Sequence, residues 1–130
     1  MNKKNLRILV VEDHPFQLKA IQCLLESYGF SQITLTDSAA GAMQKMLGVS
    51  HPFDILLCDQ CLPDLSGLDL IKMASDLKLI SHAILLSSLT PAELDELAKV
   101  ANTLKVPLLG CLQKPLKQLE LGNLLTFAHL

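Results

Sequence analysis

Phe53-Asp54-Ile55-Leu56-Leu57-Cys58-Asp59-Gln60-Cys61-Leu62-Pro63-Asp64-Leu65-Ser66-Gly67 is the stretch that sets the architecture of the chain. Ile55 to Cys58 is an unbroken apolar run bounded by turn residues, the pattern of a strand buried on both faces. The run ends on Asp59. Pro63, with its fixed φ, and Gly67, with its tolerance of positive φ, then force a turn. Ser66 is placed to cap a helix that begins near Leu68, with Asp69 favourable in its first turn. Asp59 is therefore expected at the C-terminal edge of a central strand, where open α/β sheets hold their ligands. A carboxylate held there is a candidate nucleophile, metal ligand or both.

Outward from this stretch the same alternation repeats. Leu6 to Val11 predicts a first strand, ending on Glu12-Asp13, and a helix follows from about Pro15 with Leu18, Ile21, Leu25 and Tyr28 on one face. Gly29 ends it. Ser31 to Thr36 predicts a second strand, and Asp37 or Ser38 caps a helix carrying Ala42, Met43, Met46 and Leu47. After the central strand, Leu68, Ile71, Ala74 and Leu77 mark the third helix. Ala83 to Leu86 predicts a fourth strand ending on Ser87-Ser88. Thr90-Pro91-Ala92-Glu93 combines a capping box with proline at the first helical position, and Leu94, Leu97, Ala101 and Leu104 are expected to face inward from that helix. Pro107 to Leu112 predicts a fifth strand running into Lys114-Pro115, with a last helix from about Leu116. Five strands alternating with five helices imply an α/β fold: a doubly wound five-stranded parallel sheet in the flavodoxin-like order 2-1-3-4-5.

The 130 residues are half hydrophobic and include no Trp, so one domain with a core of Leu, Ile, Val, Ala and Met is expected. A formal net charge of -2, with no basic run beside aromatics, argues against direct nucleic-acid binding. Lys3, Lys4 and Arg7 before an apolar run look briefly like a signal peptide, but Glu12 and Asp13 interrupt too early. No stretch approaches a membrane span. A cytoplasmic protein is expected, its four cysteines mostly reduced core thiols. The apolar ending Leu124 to Leu130 suits a domain cut from a longer protein, or a short natural chain.

In a parallel sheet the C-terminal ends of strands lie along one edge. The predicted ends of strands 1, 3, 4 and 5 are Glu12-Asp13, Asp59, Ser87 and Lys114. Three carboxylates, a hydroxyl and an ammonium thus converge on one crevice. Crowded carboxylates repel one another and call for a cation. Hard oxygen ligands with room for water suit Mg²⁺. Such a site would neutralise phosphoryl oxygens while Asp59 attacks phosphorus in line. Lys114 would hold one phosphoryl oxygen as a point charge, and Ser87 would donate a hydrogen bond to another. The product, an aspartyl phosphate, is a charge change able to bias nearby loops.

At these residues the chain resembles the receiver domain (CheY-like) of bacterial two-component response regulators. The resemblance rests on Ile8-Leu-Val-Val-Glu-Asp13, on Asp59 followed by Leu62-Pro63 and Gly67, on Leu86-Ser87-Ser88, and on Lys114-Pro115, and it covers nearly the whole length. It implies phosphorylation of Asp59 by a sensor histidine kinase or a phosphotransfer protein. It also implies Mg²⁺ bound by Asp13, Asp59 and the Cys61 backbone carbonyl, with Glu12 acting partly through water, and a cis bond before Pro115. The product would switch an output domain or effector protein. The domain itself would catalyse at most its own phosphorylation and dephosphorylation, and a homodimer is left open. The segment Leu104 to Leu116 looks like that of receivers fused to EAL-type cyclic-di-GMP phosphodiesterases; a stand-alone receiver in a phosphorelay is the alternative. Receivers usually carry an aromatic residue where this chain has Cys111, which puts the usual signalling route in doubt. Two further family positions, which flank the path of a hydrolytic water, are Cys61 and Leu89 here.

Other readings of the same residues are weaker. Any single acidic residue after a strand is often only a solvated turn residue, and Ser88 competes with Ser87 as the hydroxyl. Cys58 and Cys61 match a C-x-x-C spacing, but Pro63 and a turn intervene where a redox motif would open a helix, so the two read as buried or loop thiols. His14 reads as a helix-start residue, and His51, His82 and His129 show no metal-ligand spacing. A metal-dependent aspartyl phosphatase of haloacid-dehalogenase type would carry a D-x-D motif after strand 1, which Glu12-Asp13-His14 does not supply. An interaction module that never takes phosphate leaves the acid, hydroxyl and lysine set unexplained.

Overall fold

The computed structural model describes residues 2–130. In chain order the elements are β1 (Arg7–Val11), α1 (Pro15–Ser27), β2 (Gln32–Thr36), α2 (Ala39–Leu47), β3 (Phe53–Cys58), α3 (Gly67–Asp76), β4 (Ile80–Ser87), α4 (Pro91–Leu104), β5 (Leu108–Gln113) and α5 (Gln118–Phe127). The strands form one sheet in the order β2-β1-β3-β4-β5, every pair parallel, as the alternation predicts.

Side-chain alternation divides the core into two layers. Ile8, Val10, Ile55, Leu57, Ile84 and Leu86 face Ile21 and Leu25 of α1 and Leu121 and Leu125 of α5. Their neighbours Leu9, Val11, Leu56, Cys58, Ala83 and Leu85 face Ala39, Ala42 and Met46 of α2 and Leu70, Ile71 and Ala74 of α3. The central strands are apolar on both faces because helices cover both.

Helix starts follow local chemistry. Ser38 and Ser66 accept the N–H of Gly41 and Asp69, and Thr90 with Glu93 closes the expected capping box. The boundaries that shift do so for identifiable reasons. β4 begins three residues earlier than the sequence suggests, since polar Ser81 and His82 conceal a strand that pairs with Phe53 and Ile55. Leu116 lies before α5 and is buried in the core from the loop. Leu104, expected to face inward, stands 36% exposed at the end of α4, and the helix-marking Leu47 and Leu77 stand 63% and 56% exposed at the ends of α2 and α3. Gly67 is not needed for a positive φ: it opens α3, and a Cβ there would stand 2.4 Å from the Asp59 carbonyl oxygen and 2.9 Å from Leu85 Cδ2. Its requirement is close approach, which holds α3 against the end of β3.

The cysteines also depart from expectation. Only Cys58 is buried; Cys23 and Cys61 are exposed and Cys111 is half-buried. Exposed positions on α1 and in the loop after Asp59 break the apolar surroundings that the sequence suggests. Burial pushes the Cys58 thiol far up, with Asp59 adding to the effect, so this sulfur stays a thiol. Among the described residues, no helix is long and apolar enough to cross a membrane.

Candidate functional site

The ends of β1, β3, β4 and β5 deliver their polar residues to one edge of the sheet. Glu12, Asp13, Asp59, Cys61, Ser87, Leu89 and Lys114 all line a cleft of about 310 Å³ there. β1 and β3 lie side by side, Val11 opposite Cys58, and Asp59 N–H donates to the Val11 carbonyl, which brings Asp59 beside Glu12. Carboxylate oxygens of Glu12, Asp13 and Asp59 lie within 4.8 Å of one another. Glu12 and Asp59 are buried, at 1% and 8% exposure, while Asp13 is half-buried.

Lys114 reaches these acids from the far side. Its backbone N–H donates to the Ser87 carbonyl at 2.9 Å, anchoring it beside β4, and its peptide bond to Pro115 is cis. Lys114 Nζ donates to Asp59 Oδ2 and to Glu12 Oε2, each at 2.8 Å, and to Gln17 Oε1. Asp59 Oδ1 accepts the Cys61 backbone N–H at 3.1 Å, and Glu12 Oε1 accepts that of His14 at 3.3 Å.

One ammonium shared between two buried carboxylates separates their proton affinities. Burial raises the Glu12 carboxyl above its ordinary value; Lys114 opposes this and the neighbouring Asp59 charge adds to it. Burial acts the same way on Asp59, but the Lys114 ammonium and the Cys61 N–H outweigh it and hold Asp59 below the usual carboxylate range. Burial would lower Lys114, yet its hydrogen bonds to Asp59 and Glu12 raise it, so the ammonium is retained. Of the two, Asp59 is the carboxyl held toward the ionised form, the form a nucleophile or ligand needs.

Ser87 is buried at the end of β4, and its Oγ accepts the Leu89 N–H at 3.4 Å. Ser88 is exposed and also lines the cleft. The Cys61 carbonyl lies in the loop next to Asp59. His14 is the N-cap of α1, without a side-chain capping bond. Cys111 borders a separate cleft of about 200 Å³ with Leu94, Asp95 and Glu120. Gln17 is the residue that sequence reasoning passes over. Its signal was slight: a polar side chain in the first turn of α1, beside the apolar stripe, on the helix that follows the acidic pair.

The three carboxylates fit a hard divalent cation. Their oxygens are close enough to share one ion, and a single ammonium leaves the cluster with excess negative charge.

The comparisons with known proteins agree with this geometry. The family model of the response regulator receiver domain matches residues 8–126. The chain is 32% identical over 82 residues to the cell cycle transcriptional regulator CtrA of Caulobacter vibrioides, covering 63% of this chain and 34% of that protein. It is 26% identical over 97 residues to the chemotaxis protein CheY of Pseudomonas aeruginosa, covering 75% and 77%. The chain thus spans about a third of CtrA, whose activity as a whole belongs to that protein. Among solved structures, a receiver domain (CheY-like) from Methylobacillus flagellatus aligns with a TM-score of 0.75 at 28% identity, over 94% of this chain and 97% of that one. One from Clostridium thermocellum aligns at 0.78 with 22% identity, over 95% and 93%, and shows the shared fold. With the motifs, the sheet order and the acidic edge in agreement, the chain belongs to the response regulator receiver domain family.

Proposed function

We propose that the chain is a phosphoacceptor switch that takes a phosphoryl group on Asp59 from a sensor histidine kinase or phosphotransfer protein, and that the charge change acts on an output domain or effector protein. The observation that supports this most is the placing of one ammonium between Asp59 Oδ2 and Glu12 Oε2, 2.8 Å from each, beside a third carboxylate. Glu12, Asp13, Asp59 and the Cys61 backbone carbonyl would hold Mg²⁺, which supplies neutralisation of phosphoryl charge when bound. Asp59, kept ionised by Lys114 and the Cys61 N–H, presents its oxygen to an incoming phosphorus. Lys114 stands ready to donate to a phosphoryl oxygen, and Ser87 contributes a hydroxyl from the end of β4. In this reading the domain turns over nothing but its own phosphate.

Incubation with acetyl phosphate and Mg²⁺, followed by intact mass measurement, tests the proposal. One acid-labile phosphoryl group is expected on wild type and none on Asp59→Ala. Asp13→Ala should lose the Mg²⁺-dependent labelling, because the two remaining carboxylates are tied to Lys114. An unchanged mass gain in Asp59→Ala would refute the acceptor assignment.

A further inference from the structure

An ammonium carries three N–H bonds and accepts none. At Lys114 all three have partners: Glu12 Oε2, Asp59 Oδ2 and Gln17 Oε1. Because Lys114 can only donate, the Gln17 amide must present its oxygen, which settles the orientation of the amide by chemistry. Two partners are carboxylates of the acceptor site. The third is neutral and comes from the first turn of α1.

The position of Gln17 gives that bond its meaning. The acceptor cleft has a neighbour, a mostly apolar cleft of about 300 Å³ between α1 and the loop before α5, bordered by Ala20, Ile21, Leu24 and Leu116. Gln17, Ser88 and Lys114 line both. A lysine stem has four flexible carbons, so the ammonium could serve either cleft. We propose that Gln17 is the positioning residue of Lys114. Its amide oxygen and Glu12 fix two of the three N–H directions, so the third points at the Asp59 oxygen. The same bond keeps the ammonium from turning into the apolar cleft. Because the amide is neutral, it adds a direction without adding a further negative charge to three crowded carboxylates. This role rests on the phosphoacceptor reading, since its purpose is the aim of Lys114 at the oxygen where phosphate would be received.

Gln17→Met and Gln17→Glu together test it. Methionine keeps the length and helix propensity and removes the acceptor oxygen; glutamate returns an acceptor at the same reach. At saturating Mg²⁺ and acetyl phosphate, Gln17→Met should label Asp59 roughly tenfold more slowly, the scale of one hydrogen bond to a charged group. Mg²⁺ affinity followed by calorimetry should not fall, because Gln17 bonds Lys114 and none of the carboxylates. Gln17→Glu should recover the maximal rate and need more acetyl phosphate to reach it, since it adds charge against an anionic donor. Independently of phosphate, the Lys114 ammonium resonance should be protected from solvent exchange in wild type and Gln17→Glu and lose that protection in Gln17→Met. Wild-type labelling with an unchanged Lys114 resonance in Gln17→Met overturns the role. So does a slowed Gln17→Met whose Mg²⁺ affinity or melting temperature falls in step. No labelling of wild type at all would remove the phosphoacceptor reading, and this role with it.

Discussion

Cys61 and Leu89 border the acceptor cleft, the first exposed and the second half-buried. A water that hydrolyses an aspartyl phosphate must be held in line behind the phosphorus. A thiol is a weak hydrogen-bond partner and a leucine side chain offers none, so neither residue can hold such a water well. Positioning of this kind is a large part of phosphoryl-transfer catalysis. On the proposed phosphoacceptor reading, the phosphorylated state is therefore expected to decay slowly, and Cys61→Asn with Leu89→Glu should shorten its lifetime on the order of tenfold. Loss of Asp59-bound phosphate after donor removal, with Mg²⁺ present, measures this; equal decay in wild type and double variant would show that these positions do not control it. At this scale the acids, Ser87 and Lys114 were legible because each ends a predicted strand. Gln17 was not, because its significance arises only when α1 meets the residue after β5 across a sequence separation of 97. Cysteine burial is hidden for a related reason: Cys61 lies in an exposed loop and Cys23 on an outward position of α1, although both have apolar sequence neighbours.

Helix caps show the same division between elements. Ser38, Ser66 and Thr90 bond three residues ahead and can be read from the sequence. Asp64 cannot, because its carboxylate accepts the N–H groups of Ala39 and Ala40, at 3.1 and 2.9 Å, from the loop after β3 to the start of α2. Those N–H groups are orphan donors at the positive end of a helix. The bonds from Ala40 and then Ala39 hold the Asp64 carboxyl below its ordinary 3.8. A carboxyl lowered on folding contributes stability that is present above the unfolded value and lost as pH falls through the folded one. Asp64 is fully exposed, so solvent screens the contribution and the effect should be local. The Ala39 and Ala40 amide resonances should titrate with a midpoint below 3.8, and Asp64→Asn should abolish that titration. A midpoint at or above 3.8 would contradict the bonding seen here. Through this contact the segment that follows Asp59 is fastened to a second helix as well as to α3.

The whole molecule was legible to the extent that its core was. Strand order and layer assignment follow from apolar runs and parallel connections, and both appear as expected. What the pattern does not convey is how unevenly burial is spread. Every residue of β1 after Arg7 is buried, as is all of β3 but Asp54. β5 buries Leu112 alone, and α4 buries only Leu94 and Ala101. Amide hydrogen exchange follows such differences, since thinly packed elements open without global unfolding. Amides of β5 should exchange at least on the order of tenfold faster than those of β1 and β3; uniform protection across the sheet would count against this. Glu12 and Asp59 hang from the strands expected to exchange slowly, whereas Lys114 hangs from the one expected to exchange fast. The acidic and basic halves of the site then belong to different cooperative units, and each brief detachment of β5 withdraws the ammonium while the acids stay in place. The breathing of one edge strand would set the pace at which those acids trade one counter-ion for another.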